Sequence, residues 1–227
     1  MQEITILSDR KQANSMFGGA YEAHVERARL GKPSLSSLCQ FLSTPHSNHE
    51  PCRSASLDFI RSGEIRVSSE LNYEGLRSTL GVDHVGDLPC ESKKVQGRIL
   101  IVEDLDKRTV ELLGSTFDID PMFFAGHIHA LWNGQDTQLP DQCILPSQSK
   151  RQPFMNIHYH RILSFDKIMP PAKKLLRRMN VDRKVVILPV SKDRYIGLAQ
   201  HCISVLLARG NAFWTCMYCI FHEINSD

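Results

Sequence analysis

The 227-residue chain has no run of about 20 mostly apolar residues, the length a helix needs to cross a hydrocarbon core. Its best candidate, Ala212 to Phe221, is too short and contains Thr215, so it reads as core and no membrane span is expected. Charge of one sign is also scarce. The formal net charge is +2, so nothing global points to nucleic acid, and no nucleic-acid partner is expected. Phosphate-loop signatures are absent. Gly18-Gly19 has no Lys-Ser/Thr after it, and neither G-x-G-x-x-G nor a G-x-S-x-G elbow occurs. Met1 to Ile6 has neither a basic nor a long apolar region, so no secretory signal is expected. The seven cysteines, an odd number in a chain of this length, then read as reduced thiols in a cytoplasmic protein.

What is present suits one α/β domain with appendages: 42% of residues are hydrophobic, enough for a core. Arg98 to Val102 is a short, nearly continuous β-forming run, suited to an interior strand with Ile101 buried in it. Asp106 is placed to cap a helix that holds Val110, Leu112 and Leu113. Asp120-Pro121 starts another, with Met122, Phe123, Ile128 and Leu131 near one face. Ser56 to Ile60 and Glu64 to Val67 alternate like a hairpin, with Gly63 at the turn. Phe154 to Phe165 and Lys184 to Val190 are strand candidates, and Ile196 to Leu207 fits a helix or a strand. Short helices are expected near 16–21 and 35–42. Residues 81–96 and 135–152 read as connectors, and Pro170-Pro171 breaks the chain. The expected fold class is α/β, a mixed β-sheet flanked by helices. The expected division is a weakly structured segment over 1–55, the α/β domain over 56–210, and a tail over 211–227.

Several groups have the residue types for chemistry. His158 and His160, at i and i+2 of a strand, point to one side and can reach one metal ion, with Tyr159 on the other side. The plain alternative is a polar strand face, which is favoured because no third ligand follows at a fixed spacing. His127 and His129 diverge if they lie on a helix. Cys216 and Cys219 form a CxxC with His222 beyond, a spacing used by zinc and redox sites, but an apolar tail is favoured. Glu103 and Asp104, with Asp106, Asp118 and Asp120, offer oxygens to a hard cation; helix capping explains the acids better. Lys173, Lys174, Arg177, Arg178, Arg183 and Lys184 form a basic cluster that suits phosphates or, more commonly, a solvated helix face. Cys–His catalysis stays open, because nothing local singles out one cysteine.

One region carries a resemblance. Ile99-Leu100-Ile101-Val102-Glu103-Asp104-Leu105, Leu112-Leu113-Gly114-Ser115, Ile119 to Ile128, Ile157 to Arg161 and Arg183-Lys184-Val185 resemble the soluble N-terminal domain of fungal CorA-like divalent-cation transporters. The resemblance spans roughly Arg98 to Leu207. It implies the α/β cytosolic domain of that family, which precedes a stalk helix and two membrane helices in pentamers that pass magnesium. The family's Gly-Met-Asn pore signature is missing; Arg178-Met179-Asn180 does not replace it. The resemblance thus implies a soluble CorA-like domain without a pore, an accessory or regulatory protein related to magnesium transporters. Its partners would be further copies of itself or a membrane-embedded CorA-like protein that brings it to the membrane. Mg2+ or another divalent cation is the implied ligand; the resemblance carries over no ligand residues, and the candidate metal ligands, His158, His160, Glu103 and Asp104, come from residue type and spacing alone. Two alternatives stay open: a small metal-dependent enzyme of a fungal biosynthetic pathway using His158 and His160, and a truncated form of a full-length transporter.

Overall fold

The computed structural model describes residues 19–43, 51–82, 95–128, 152–165, 180, 185–191, 194–209 and 213–221. Helix α1 (Ala20–Arg29), a 3-10 turn (Pro33–Leu35) and helix α2 (Ser36–Ser43) come first. Strands β1 (Arg53–Ile60) and β2 (Ile65–Leu71), helix α3 (Tyr73–Thr79) and strand β3 (Val95–Glu103) follow. Helices α4 (Lys107–Phe117) and α5 (Pro121–Ile128) lead to strands β4 (Phe154–Phe165), β5 (Val185–Ser191), β6 (Arg194–Arg209) and β7 (Trp214–Ile220). The described residues thus form an α/β fold with five α-helices and an open, mixed sheet of seven strands.

The sheet order is β2-β1-β3-β7-β6-β4, and β5 pairs with the first part of β6. Only β3 and β7 run parallel; the other pairs are antiparallel. Because side chains alternate along a strand, register sorts them into two faces. One face presents Ser56, Leu100, Met217, Leu206 and Phe154 in one row of partners. The other presents Ala55, Ile101, Tyr218, Val205 and Met155 in the next row.

The helices cover the first face. Leu100, Val102, Met217 and Cys219 pack with Val110 and Leu113 of α4, Phe123 and Phe124 of α5, Val25 of α1 and Leu38 of α2 in one core. Phe123 meets Phe154 edge-on at 5.7 Å, and Phe124 meets Tyr21 edge-on at 5.9 Å, the arrangement aromatic quadrupoles prefer.

The helix starts follow local chemistry. The Asp106 carboxylate accepts from the Thr109 N–H at 2.7 Å, and Asp120 from Met122 at 2.9 Å. These acids therefore act as caps, satisfying donors that have no intrahelical partner. The start of α1 is different. Gly19 occupies the cap position and offers no side chain. The Glu111 carboxylate, from α4, takes the role by accepting from Tyr21 at 2.8 Å and Glu22 at 2.9 Å. A Cβ on Gly19 would overlap that carboxylate, so the glycine makes the cap possible.

Several expectations need correction. The sheet runs across both ends of the expected 56–210 domain: β1 starts at Arg53, and β7 lies beyond residue 210 as an interior strand, not a tail. Residues 20–43, expected to be weakly structured, supply two helices to the core. Ile101 does lie in an interior strand, but it is only half-buried; its neighbours Leu100 and Val102 are the fully buried pair. Ile196 to Leu207 is a strand, with β4 along one edge and β5 and β7 along the other. The hairpin is confirmed, with Gly63 at φ +88° in the turn, a left-handed conformation that glycine adopts without strain.

Candidate functional site

Polar side chains converge where α5 crosses β4 and β6. Register places Asn156 opposite Ser204, and His158 opposite Cys202, on the helix-covered face. Asn156 Nδ2 lies 3.1 Å from the Phe123 carbonyl, which can only accept, so this atom is the amide donor. The same amide donates to Ser204 Oγ at 2.6 Å. The Ser204 hydroxyl also stands 2.8 Å from His127 Nδ1, with the tautomer of the ring setting which of the two donates. Cys202 Sγ lies 3.5 Å from Ser204 Oγ and 4.0 Å from His158 Nε2. Phe221 stacks on the His127 ring at 4.4 Å. Gly126 lets the helix approach this closely: a Cβ there would stand 2.6 Å from Asn156 Oδ1.

The cluster has the residue types of a nucleophile and a base, but it is sealed. Ser204 is 0% exposed, His127 1% and Cys202 2%. A substrate has no route to Ser204 Oγ in this conformation, so the network holds α5 against the sheet. The nearby thiols are also unreactive. Burial pushes Cys52 up to about 12, and it raises Cys219 well above its ordinary value, with Cys52 and Cys202 nearby adding to the effect. A thiol that keeps its proton is a poor nucleophile and a poor metal ligand.

The structure separates the candidate metal ligands. His158 and His160 do share one strand face, opposite Cys202 and Gln200, with Tyr159 on the other side against His201. His158 is half-buried and His160 exposed. Glu103 points to the other face and pairs with Arg53 at 3.1 Å. Asp104 is buried just past β3, in a left-handed conformation at φ 59°. Its N–H donates to the Ile220 carbonyl at 3.0 Å, and its own carbonyl accepts from Asn180 Nδ2 at 2.9 Å. Strands β7 and β6 stand between the two pairs, so they are roughly 14 Å apart at the strand spacing of a sheet. Among the described residues, no group of three or more His, Cys, Asp or Glu is placed to hold a metal ion. Cys216 and Cys219 lie on opposite faces of β7, since i and i+3 alternate on a strand; Cys219 is buried and Cys216 half-buried. His129, His222, Leu131 and the basic cluster of Lys173, Lys174, Arg177, Arg178, Arg183 and Lys184 lie outside the described residues.

The second feature is the other sheet face, which sequence reading missed. Ile65 and Val67 of β2, Trp214 of β7, Leu207 of β6, and Met155, Ile157 and Tyr159 of β4 are each 38–67% exposed. Register puts all seven on the face away from the helices. Leu57, Ile99, Ile101, Val205 and Ile203 are half-buried among them. Trp214 lies across Gly97 and beside Phe59 at 5.5 Å; a Cβ on Gly97 would overlap the indole. Among the described residues, no helix packs on this face. The signal was present in β3, where Ile99 and Ile101 alternate with Leu100 and Val102, and in the apolar Met155, Ile157 and Tyr159 of β4; apolar residues at both parities mark a strand expecting a layer on each side.

No protein-family model matches the chain, and no curated protein or solved structure is significantly similar to it.

Proposed function

We propose that the protein works by association rather than catalysis, as an accessory or regulatory domain of the CorA-like type that acts on a magnesium or related divalent-cation transporter. One observation carries the association reading: an apolar sheet face spans the molecule from β2 to β4 and no described helix covers it. Contiguous exposed apolar surface of this kind marks an interaction site. The CorA-like assignment is supported by the strand–helix–helix unit β3-α4-α5, whose Ile99 to Ile128 carries most of the resemblance. No helix among the described residues is long and apolar enough to cross a membrane, which fits a partner that supplies the pore.

The test is reconstitution. A purified CorA-like transporter in liposomes is assayed for magnesium uptake with and without the protein. Uptake should change on adding the protein, and the Met155→Glu/Ile157→Glu double variant should lose the effect. The protein alone should give no uptake above empty liposomes. Unchanged uptake at saturating protein, or uptake by the protein alone, would overturn the reading.

A further inference from the structure

We infer that the occupant of the uncovered sheet face is a second copy of the same chain, packed sheet against sheet about a two-fold axis. This deepens the association reading and rests on it.

The size of the face fits. Six strands lie side by side from β2 to β4, which is roughly 24 Å across. From the Phe59–Gly97–Trp214 row to the Ile203–Ile157 row is about 20 Å along the strands. The projected area is at most roughly 480 Å2, since β4 begins three rows short of Trp214, and side-chain relief raises the accessible area toward the about 800 Å2 per partner that a stable interface buries. An open face this wide exceeds what one helix of about 10–12 Å diameter covers. A second copy brings a face of equal width and the same twist, the condition for aligned sheet packing about 10 Å apart.

The charge on the face fits as well. Arg53 and Glu103, in its end row, pair with each other at 3.1 Å. Arg161 and Arg209 sit toward its margins. Two copies therefore meet without burying an unpaired charge at the centre. A symmetric contact needs a self-complementary patch, and an apolar, internally neutral one meets that need. Tyr218, in the middle row of the face, supplies a rigid aromatic anchor of the kind that concentrates binding energy near the centre of an interface, and Trp214 supplies another at its edge.

The experiment is sedimentation velocity of the full chain over a concentration series. The expected species has twice the 25.8 kDa mass of the chain. Met155→Glu/Ile157→Glu should weaken the dimer by at least about 100-fold, because it places charges in an apolar contact. Ile162→Glu, exposed on the opposite face of β4, should leave the dimer unchanged. A measurement on unaltered protein guards against misfolded variants: the midpoint of thermal unfolding should rise with protein concentration. Wild type that stays monomeric to about 100 μM, or a dimer indifferent to the double variant, overturns the inference. Monomers that bind anionic vesicles through this face overturn it in favour of lipid. A monomer whose effect on the transporter is lost in the double variant overturns the second copy alone, whereas a dimer without effect on uptake overturns only the transporter role.

Discussion

The two faces of the sheet are built from the same strands, yet they meet different surroundings. On one, Leu100, Val102, Met217 and Leu206 are at most 5% exposed beneath the helices. On the other, Met155, Ile157 and Val67 are about half exposed or more, with no described helix over them. β3 is apolar at both parities, while β1 and β4 place Ser54, Ser56, Asn156 and His158 on the covered side, so apolar content does not mark which face the helices take. What distinguishes them is where the caps and turns send the helices. The crossover from β3 carries α4 and α5 to the covered side, where Phe123 and Phe124 complete the core. The polar cluster belongs to that side too, and its burial turns reactive residue types into a bracket between α5 and β6.

That contrast can be broken or sharpened by measurement, starting with the largest effect. Phe123→Ala empties the covered face at a fully buried ring and should cost about 3–5 kcal/mol, read as a fall in the urea midpoint. An unchanged midpoint would mean that the covered face is no better packed than the open one.

Alkali should act next, and again through the covered face. Cys52, held up to about 12, and Cys219, held well above its ordinary value of 9.0, keep their protons in the folded chain while the unfolded chain loses them. The unfolded state then binds fewer protons, so stability falls as pH rises. The contribution is fully present below pH 9 and is lost, for Cys52, as pH climbs to about 12. Cys52 should cost about 1.4 kcal/mol per pH unit across that window, or about 2 kcal/mol at pH 10.5. Tyr21, raised chiefly by burial and then by Asp120, adds to the same trend above pH 10. Urea titrations at pH 8, 9.5 and 10.5 measure it, and Cys52→Ala should flatten the slope. A slope unchanged by that substitution would show that Cys52 is not the group responsible.

Smaller still is the tertiary cap. Glu111→Ala removes both acceptors from the start of α1 and should cost about 1–2 kcal/mol. Hydrogen exchange at Tyr21 and Glu22 should quicken more than at Leu38, and uniform quickening would argue against a local cap. The smallest effect belongs to the open face. Ile157→Ala should change the stability of the isolated chain by less than about 0.5 kcal/mol, measured at high dilution, because its side chain is half exposed there. A loss of several kcal/mol at dilution would show that the face is already covered within one chain.

Much of the local structure was legible in the sequence. The interior strand at Arg98 to Val102, the caps at Asp106 and Asp120, the turn at Gly63 and the long strand from Phe154 were readable, because each depends on residues within a turn or two. The candidate site was less so. That His158 and His160 share a strand face was readable from their spacing, but their separation from Glu103 and Asp104 was not. Nor was the meeting of Asn156, Ser204 and His127, whose partners come from three distant stretches of chain.

The sequence by itself determined the α/β class, the caps and most strand positions, because hydrophobic period and capping chemistry act over a few residues. Only the tertiary structure decided that Trp214–Ile220 inserts beside β3, that Glu111 caps a helix lacking its own cap, and which sheet face is left open. Those outcomes depend on pairings between segments far apart in the chain, such as Gly97 with Trp214, and no local pattern records which distant segment will bury a given face.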